Sequence, residues 1–458
     1  MIKKLVLVFI ALFAIKSYAQ QTTASPYSFY GIGTLKFKGT VENRSMGGLS
    51  VYLDSIHVNL KNPAAYVGKN IEDYPFDNES RPVKFSIAGT SSNLNLESDS
   101  QSQTTSASSF DYLAISVPIG KFGFGFGLLP YTSVGYKQED INEAEDNRLE
   151  NRYRGEGGLN RVFAGLGYKI SDKLSAGVDV NYNFGNVKNT AIAVAYTPEG
   201  EVVQYQTRQN TRSDLSGLNL NFGLAYKSMI TENLELSATA TFAPESSLIS
   251  KNERSYSTVT INTVDEEELV YNTIDEDLGD LEQTDLILPS RLAFGAGIGE
   301  PRSWFVGAEY AMQNTSKFFN PIFNTNNSTF ENASQVSVGG FYIPNYNAFS
   351  GYFKRVVYRA GFNFGNTGLV IKNESIKVMV NTSLHQAETQ MPTIVAQALD
   401  QTNQSFTLEI ERLKALQKVN PNVREEEIQF FEQQLENVTA ALNSTHLRLD
   451  ALRVIVAT

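Results

Sequence analysis

Few residues in this sequence are of the types that carry catalytic chemistry. The chain has no cysteine, so it can form neither a thiol nucleophile nor a thiolate metal site. Its histidines have no nucleophile and no second metal ligand at a familiar spacing. We therefore predict that the protein is not an enzyme and that it holds no metal and no cofactor. The three histidines, which we interpret as structural or surface residues, are His57, His385 and His446.

One cluster of acidic residues has the chemistry to bind a cation. It consists of Asp265, Glu266, Glu267, Glu268, Asp275, Glu276, Asp277, Asp280, Glu282 and Asp285. The cluster lacks the D-x-[DN]-x-[DN]-G spacing of a calcium loop, so we interpret it as a solvated surface loop. Calcium or a cationic partner is the alternative. The formal net charge of −11 argues against a nucleic-acid partner.

Two short motifs lie in a segment that precedes the regular part of the chain. They are Met46-Gly47-Gly48 and Asn62-Pro63-Ala64. Proline fixes φ and asparagine satisfies nearby backbone groups, so the second motif either shapes a turn or contacts a ligand. The segment, about residues 20–80, is too apolar for a disordered tail and too interrupted by glycine for a long helix. We predict that it fills the lumen of a barrel as a hatch, or plug.

The first nineteen residues show the order of zones of a cleavable signal peptide. Lys3 and Lys4 form a positive region, residues 5–15 form an apolar run, and Ala19 is a small residue suited to cleavage. This run is too short to span about 30 Å of hydrocarbon as a helix. We therefore predict export and removal of residues 1–19, rather than a buried helix of a soluble domain.

The central part of the chain alternates apolar with small residues. In four segments the apolar side chains share one parity, and Gly, Ala and Asn dominate the other; these are residues 122–128, 162–170, 218–227 and 292–299. Alternate side chains of a strand face opposite sides. A soluble sandwich alternates too, but its outer face is rich in Lys, Glu and Thr. Because no later stretch is apolar enough for a spanning helix, and only helices and closed barrels span lipid, we predict an all-β, antiparallel transmembrane β-barrel over residues 81–380, in the cell outer membrane.

The spacing of turns favours the same fold. Short connections alternate with long polar segments, as at the two rims of bacterial barrels. The short ones are residues 118–121, 171–173, 231–233 and 300–302, and the long ones are 138–157, 197–216, 246–284 and 314–335. We count about eleven strands. We also predict an interfacial girdle of aromatic residues that includes Tyr112, Tyr168, Tyr226, Trp304 and Tyr310.

This ordered set of elements resembles the FadL family of outer-membrane transporters for hydrophobic compounds, most closely the versions common in Bacteroidota. The resemblance covers about residues 20–376 and is carried by the start at residues 27–33 (YSFYGIG), the two motifs and the barrel. It implies a fourteen-stranded barrel and a hatch that blocks the lumen, to which Asn62, Pro63 and Ala64 belong. It also implies that ligands such as long-chain fatty acids leave laterally through a gap in the wall.

The pattern changes at about Val378. Apolar residues then follow a 3-4 spacing, Pro421 breaks it, and Asn422 with Glu425 resembles a capping box, so we predict two antiparallel helices over residues 381–458. This tail is similar to the extreme C-terminus of the bacterial RNA-polymerase-associated Swi2/Snf2 ATPase. The matching stretches are residues 411–424 and 447–453. The chain has no G-x-x-x-x-G-K-[ST] motif, so ATPase activity is not implied.

Two origins of this combination stay open. The family resemblance calls for about three more strands than the sequence supplies, and an open barrel leaves N–H and C=O groups unpaired in lipid at several kcal/mol each. One hypothesis is a fused coding sequence whose barrel is incomplete. The other is a natural helical hairpin in the periplasm that serves as an interaction arm.

Two functions of different classes follow. The first is transport of small hydrophobic molecules, similar to long-chain fatty acids, through the plugged barrel, with membrane lipids and the ligand as partners. The second is a non-transporting barrel that acts as a scaffold or shuttle in an outer-membrane secretion or assembly complex. The fold alone does not decide between them.

Overall fold

The computed structural model describes residues 23–53, 56–67, 83–97, 102–144, 147–197, 200–262, 268–322, 328–347, 351–371, 374–382 and 414. The predicted signal peptide, His385, His446 and nearly all of the predicted helical tail lie outside these residues. Within them, no helix is long and apolar enough to cross a membrane.

The described chain is almost entirely β-structure. One short helix, α1, spans Val41–Ser45, and 3₁₀ turns occur at Pro26–Phe29, Pro63–Tyr66, Gly279–Leu281, Thr315–Lys317 and Tyr352–Lys354. The strands are β1 (Thr34–Leu35), β2 (Lys84–Glu97), β3 (Ser102–Ile119), β4 (Phe122–Pro130), β5 (Thr132–Ala144), β6 (Asn147–Lys169), β7 (Leu174–Ala195), β8 (Gln206–Met229), β9 (Glu235–Ala243), β10 (Ser246–Ile261), β11 (Glu268–Asp275), β12 (Gln283–Leu288), β13 (Arg291–Glu300), β14 (Trp304–Gln313), β15 (Ser328–Phe330), β16 (Ala333–Tyr342), β17 (Tyr358–Ile371) and β18 (Glu374–Thr382).

Strands β2 to β18 form one antiparallel, up-and-down sheet. Some consecutive strands lie end to end and together occupy one position in the sheet. These groups are β4 with β5, β9 with β10, β11 and β12 with β13, and β15 with β16. The described residues therefore give twelve positions, one more than the count from the sequence and two fewer than the fourteen of the family that the sequence resembles. At the two ends of this sheet β2 pairs with β3 and β18 pairs with β17, and no register joins β18 to β2 within the described residues.

The predicted alternation is confirmed, with the apolar face turned outward. On β8, Leu218, Phe222 and Tyr226 are exposed, whereas Asn221 and Ala225 between them are buried. Segments 122–128, 162–170 and 292–299 follow the same rule. The predicted short turns are also present, since each joins the end of one strand to the start of the next.

One aromatic residue assigned to the girdle faces the other way. Tyr168 and Tyr226 are exposed as predicted, but Tyr112 is only 3% exposed. The reason is a bulge in the pairing of β2 with β3, where Ala88 lies opposite Tyr112 and Gly89 lies opposite Phe110. A bulge reverses the faces of the residues beyond it, so Phe110 points outward and Tyr112 points inward.

The segments predicted as long polar loops are partly wrong. Three of them continue as paired strands: β6, β7 and β8 are 23, 22 and 24 residues long, and β10 pairs with β11 within the acidic segment. Runs of polar residues predict a loop, but long strands that extend beyond the bilayer also carry polar side chains. The sheet therefore rises well beyond its apolar belt.

The interior of the sheet is filled by the hatch, residues 23–53 and 56–67. Arg44 donates to Thr90 on β2, and α1 contacts β17, so the sheet curves around the hatch. Four buried apolar clusters join the hatch to the wall. They combine Ile32 with Val134, Leu159 and Leu215; Leu60 and Tyr66 with Ala114 and Phe163; Leu49 and Val51 with Phe305 and Phe341; and Leu53 and Ala64 with Ala225.

Candidate functional site

The Asn-Pro-Ala motif forms a turn and ties the hatch to the wall. Asn62 caps the 3₁₀ turn Pro63–Tyr66, its Oδ1 accepting a hydrogen bond from the Ala64 N–H at 3.0 Å. Its Nδ2 donates to the carbonyl of Leu224 on β8 at 2.9 Å. The Ser175 hydroxyl of β7 donates to the Ala64 carbonyl at 2.9 Å. Asn62 and Ala64 are fully buried, so the motif shapes a turn against the wall.

Inward glycines of the wall make the niche for this turn. A Cβ on Gly123 would lie 1.8 Å from the Tyr66 carbonyl oxygen, and one on Gly125 would lie 2.5 Å from the Tyr66 ring. Equivalent contacts place Gly177 against Pro63 and Gly223 against Asn62. The parity of small residues in the sequence therefore has a physical cause: glycine lets the hatch backbone approach the sheet more closely than any side chain allows.

The Met-Gly-Gly motif packs against the opposite part of the wall. It follows α1, and Gly47 and Gly48 have φ of +67° and +88°, a region that favours glycine. A Cβ on Gly361 of β17 would lie 2.2 Å from the Met46 carbonyl carbon, and one on Gly339 of β16 would lie 2.2 Å from its oxygen. The Met46 side chain is buried. All six motif residues named in the sequence thus lie in the hatch, at two opposite contacts with the barrel.

A buried ion pair between the hatch and the wall lies beside both motifs. Lys61 Nζ lies 3.1 Å from Oε1 of Glu309 on β14, and both side chains are 6% exposed. The other carboxylate oxygen accepts from the N–H and the hydroxyl of Ser50 at 3.0 and 2.6 Å. Lys61 also donates to the Gly48 carbonyl. Burial lowers the pKa of Lys61, and the Glu309 carboxylate opposes that shift.

A second lysine of the hatch lies in the polar part of the lumen. Burial lowers the pKa of Lys38 from 10.5 to about 7, although the Asp179 carboxylate raises it; the nearby cations Arg161, Arg291 and Lys61 lower it further. The inward faces of β7 and β8 supply asparagines around this region. Asn221 donates to Asp179 at 3.0 Å, Arg161 donates to Asn183 at 2.8 Å, and Asn183 donates to Asn219 at 2.9 Å.

The wall is interrupted between β3 and β5. β4 pairs with β3 as far as Leu128, opposite Leu113. After Tyr131 the chain continues as β5, which pairs with β6 on one side and with β1 of the hatch on the other. In the recorded pairings of the described residues, β3 from Tyr112 back to Ser102 pairs only with β2. We call this feature the wall break: residues 102–112 of β3 facing residues 132–144 of β5.

Local sequence explains the break. Pro130 lacks the N–H needed to continue a ladder. On β6, Gly157 and Gly158 have φ of +113° and +134°, and a Cβ on Gly158 would lie 2.4 Å from the Thr132 carbonyl oxygen. These glycines let β5 bend inward toward the hatch.

Lys36 of the hatch spans the wall break. Its N–H donates to the carbonyl of Tyr131 at 2.9 Å, and its Nζ donates to the Ser109 hydroxyl of β3 at 3.4 Å. Burial lowers the pKa of Lys36, and the Asp111 carboxylate opposes that shift. The hatch therefore covers the part of the break near Tyr131 and Ser109, because Lys36 contacts both of its sides.

Beyond the hatch lies a cavity of about 1120 Å³, here called the vestibule. Its lining includes the cations Lys137, Arg154, Lys188, Arg208 and Arg254 and the acids Glu156, Glu268, Glu276 and Glu282. Glu268 accepts from Arg154 and, at 3.2 Å, from Arg208. Glu276 pairs with Arg254 at 3.3 Å. The interpretation of the whole acidic cluster as a solvated loop is therefore wrong for Glu268, whose side chain is 12% exposed and pairs with arginines of β6 and β8.

Reasoning from the sequence missed the ion pair, the two other lysines and the wall break. One signal was available: Glu309 is a lone acid at an inward parity of an otherwise apolar strand, residues 304–312. Such an acid in the interior of a barrel needs a partner. His57, in the hatch, lies 3.6 Å from Glu42. No group of three or more metal-binding side chains occurs among the residues that the structure describes.

A single antiparallel sheet, apolar outside and curved around an N-terminal hatch, defines a hatch-filled β-barrel protein. The BamG family model matches residues 1–383. The chain therefore belongs to the BamG family.

Two solved transporters are similar to this chain. The toluene transporter TodX of Pseudomonas putida is 15% identical, with a TM-score of 0.44, over 75% of this chain and 86% of its own. The toluene transporter TbuX of Ralstonia pickettii is 14% identical, with a TM-score of 0.41, over 73% and 88%.

The predicted resemblance of the tail is confirmed by a second family model. The model "RNA polymerase recycling family C-terminal" matches residues 363–457. The RNA polymerase-associated protein RapA of Pectobacterium atrosepticum is 41% identical over 83 residues, which are 17% of this chain and 9% of that protein. RapA of Vibrio campbellii is 42% identical over 69 residues, 15% and 7%. The chain spans less than a tenth of the length of these two relatives.

Proposed function

We propose that this chain is an outer-membrane barrel that passes small hydrophobic molecules laterally through the wall break, with β1 of the hatch as the gate. One observation carries the proposal. β4 pairs with β3, but β5, which continues the same position of the sheet, does not pair with β3 and pairs with β1 of the hatch instead. Unpaired strand edges are costly in lipid, and in this proposal the break is kept because it serves as the exit.

The surroundings of the break suit an apolar ligand. Phe110 on β3 and Phe126 on β4 point outward beside it, being 40% and 47% exposed. A molecule that leaves through the break therefore meets apolar side chains and the hydrocarbon of the bilayer. Long-chain fatty-acid-like molecules, which the family resemblance implies, are one such class of ligand.

The gate requires only a local movement. β1 has two residues, and its pairing consists of Thr34 with Ser133 and Leu35 with Thr132. Gly33, with φ of +91°, directly precedes it and supplies a hinge. The rest of the hatch is held by the glycine niche and by the Lys61–Glu309 pair, so we propose that the region around β1 and Lys36 moves while the rest of the hatch stays in place.

A disulfide across β1 and β5 tests the gate. Because the chain has no cysteine, a Thr34→Cys/Ser133→Cys variant contains a single possible bridge, and directly opposed residues of an antiparallel pair are within reach of one. We expect uptake of a fluorescent fatty acid, in a host without its own transporter, to be lost when the pair is oxidised and restored on reduction. Each single-cysteine variant is the control. Equal uptake in the oxidised and reduced states would contradict the gate, and no uptake by any form would contradict transport.

A second candidate function, the scaffold in an outer-membrane complex, is favoured by the vestibule. A hydrophobic molecule that enters from this side meets a lining of cations and acids rather than an apolar pocket. If the oxidised variant supports the protein's role in its own cells while its uptake is zero, the scaffold function is the better account.

A further inference from the structure

Part of the exposed apolar surface lies outside the lipid belt. Along β8 the outward side chains are apolar from Tyr226 to Leu218, and then become Asp214 and Arg212. The neighbouring strand β10 continues this polar band with Lys251 and Glu253, both exposed. Charged side chains of this kind are costly against hydrocarbon. Whatever lies beyond the band on these strands is therefore in water, on the side of the long loops.

Beyond the polar band, β10 pairs with β8 on one side and with β11 on the other, and β10 and β11 carry exposed apolar residues there. Tyr256 of β10 lies opposite Ile274 of β11 in the register, and the two side chains are 38% and 64% exposed. Leu269, Val270 and Tyr271 of β11 are 55%, 48% and 62% exposed. Apolar side chains clustered in water on a strand are a typical sign of an interaction surface.

One edge of β11 has no partner strand in the described part of the chain. Its recorded pairing is with β10, from Glu268 to Asp275. Every residue of β11 after Glu268 is exposed. A free edge presents a row of N–H and C=O groups to which another strand can add.

The charge beside this edge selects the partner. Glu268 and Glu276 are neutralised by arginines, as described above. Asp275, Asp277 and Asp280 follow at the end of β11, and no ion pair is recorded for them within the described residues. A second copy of the chain is a poor partner, because antiparallel pairing of two β11 edges would bring acidic ends together.

We propose that the free edge of β11 binds an extended, lysine- or arginine-bearing segment of another protein by strand addition. The backbone of β11 supplies hydrogen bonds, Tyr271 and Ile274 supply apolar contact, and the three aspartates pair with the cations. The proposal does not depend on transport through the wall break.

The test uses the full chain folded in detergent and synthetic eight-residue peptides as probes. One peptide alternates Lys with Val and Thr, a second carries Glu in place of Lys, and a third is the basic peptide with N-methylated backbone. We expect the basic peptide to bind at least about ten-fold more tightly than the acidic one, with affinity that falls as salt rises. We also expect it to slow hydrogen exchange in residues 268–275. The N-methylated peptide should not bind, because it cannot add to an edge.

Substitutions distinguish binding at the edge of β11 from unspecific attraction between charges. Asp275→Asn/Asp277→Asn should weaken the basic peptide several-fold, and Ile274→Thr should weaken both charged peptides. Asp172→Asn, an exposed acid in the turn between β6 and β7, is the control and should change nothing. Equal binding of the N-methylated peptide, unchanged exchange in β11, or concentration-dependent self-association that these variants abolish would each overturn the proposal.

Discussion

Lys61 and Glu309 are 248 residues apart in sequence, yet their side chains form a direct contact of 3.1 Å inside the barrel. The pair joins the segment that bears the Asn-Pro-Ala motif to β14. Both groups are almost completely shielded from water. Removal of one partner from such a pair leaves an uncompensated buried charge, which costs about 3–5 kcal/mol.

Lys61→Met should therefore lower the free energy of unfolding by about 3–5 kcal/mol. The double variant Lys61→Met/Glu309→Gln should recover part of that loss, because no charge stays unpaired. Denaturant unfolding of the protein in detergent measures both. Lys169→Met, which breaks a pair with the exposed Asp172 at 2.8 Å, is the control and should leave the free energy of unfolding nearly unchanged. Equal losses in the single and double variants would show that the buried charge is not the cause.

The glycine niche predicts a specific coupling between Gly125 and Tyr66. Gly125→Ala should destabilise the protein by about 1–3 kcal/mol, because the added Cβ would lie 2.5 Å from the Tyr66 ring. In a Tyr66→Ala background the same change should cost much less. A double-mutant cycle measured by denaturant unfolding gives the coupling energy. Ala164→Val, on the outward face of β6, serves as a control for added volume. Additive effects of the two changes would contradict the niche.

Lys38 predicts how stability varies with pH. Its pKa in the folded protein is lowered to about 7 from 10.5, so between these values the unfolded chain binds more protons than the folded one. Stability should therefore rise as pH increases from about 7 toward 10.5, while the full cost of the buried charge is present below pH 7. Midpoints of thermal unfolding at pH 6, 7.5 and 9 measure this rise. Lys38→Met should flatten it, and an identical profile in that variant would assign the rise to other groups.

The described strands from β2 to β18 form one continuous sheet, so we predict that the barrel folds with its tail attached. A folded barrel migrates differently on a gel before and after boiling. The full chain, expressed with its own first residues, should show this shift in the outer-membrane fraction. An absent or unshifted product would favour the hypothesis of a fused coding sequence with an incomplete barrel.

The sequence predicted the sheet well and the interior poorly, for reasons visible in particular residues. Alternation along residues 218–227 is a local property, so it gave the strand and its faces directly. The inward direction of Tyr112 depends on a bulge opposite Gly89, which alternation does not reveal. The Lys61–Glu309 contact and the pairing of β1 with β5 join positions far apart in the chain, and no local pattern encodes them. The alternating small residues were visible in the sequence, but their role in making room for the hatch depends on the position of Tyr66, which no local pattern gives.

The most direct measurement of the central claim is to obstruct the wall break from outside. Ser106 is an exposed residue of β3 within the break, and Tyr182 is an exposed residue of β7, where both neighbouring strands are fully paired. In the cysteine-free chain, Ser106→Cys and Tyr182→Cys can each be labelled with a bulky maleimide, and uptake of the fluorescent fatty acid is then compared with the unlabelled variants. We predict that the label on Ser106→Cys reduces uptake at least about ten-fold while the label on Tyr182→Cys leaves it unchanged. Full uptake with the break obstructed would contradict lateral passage through it.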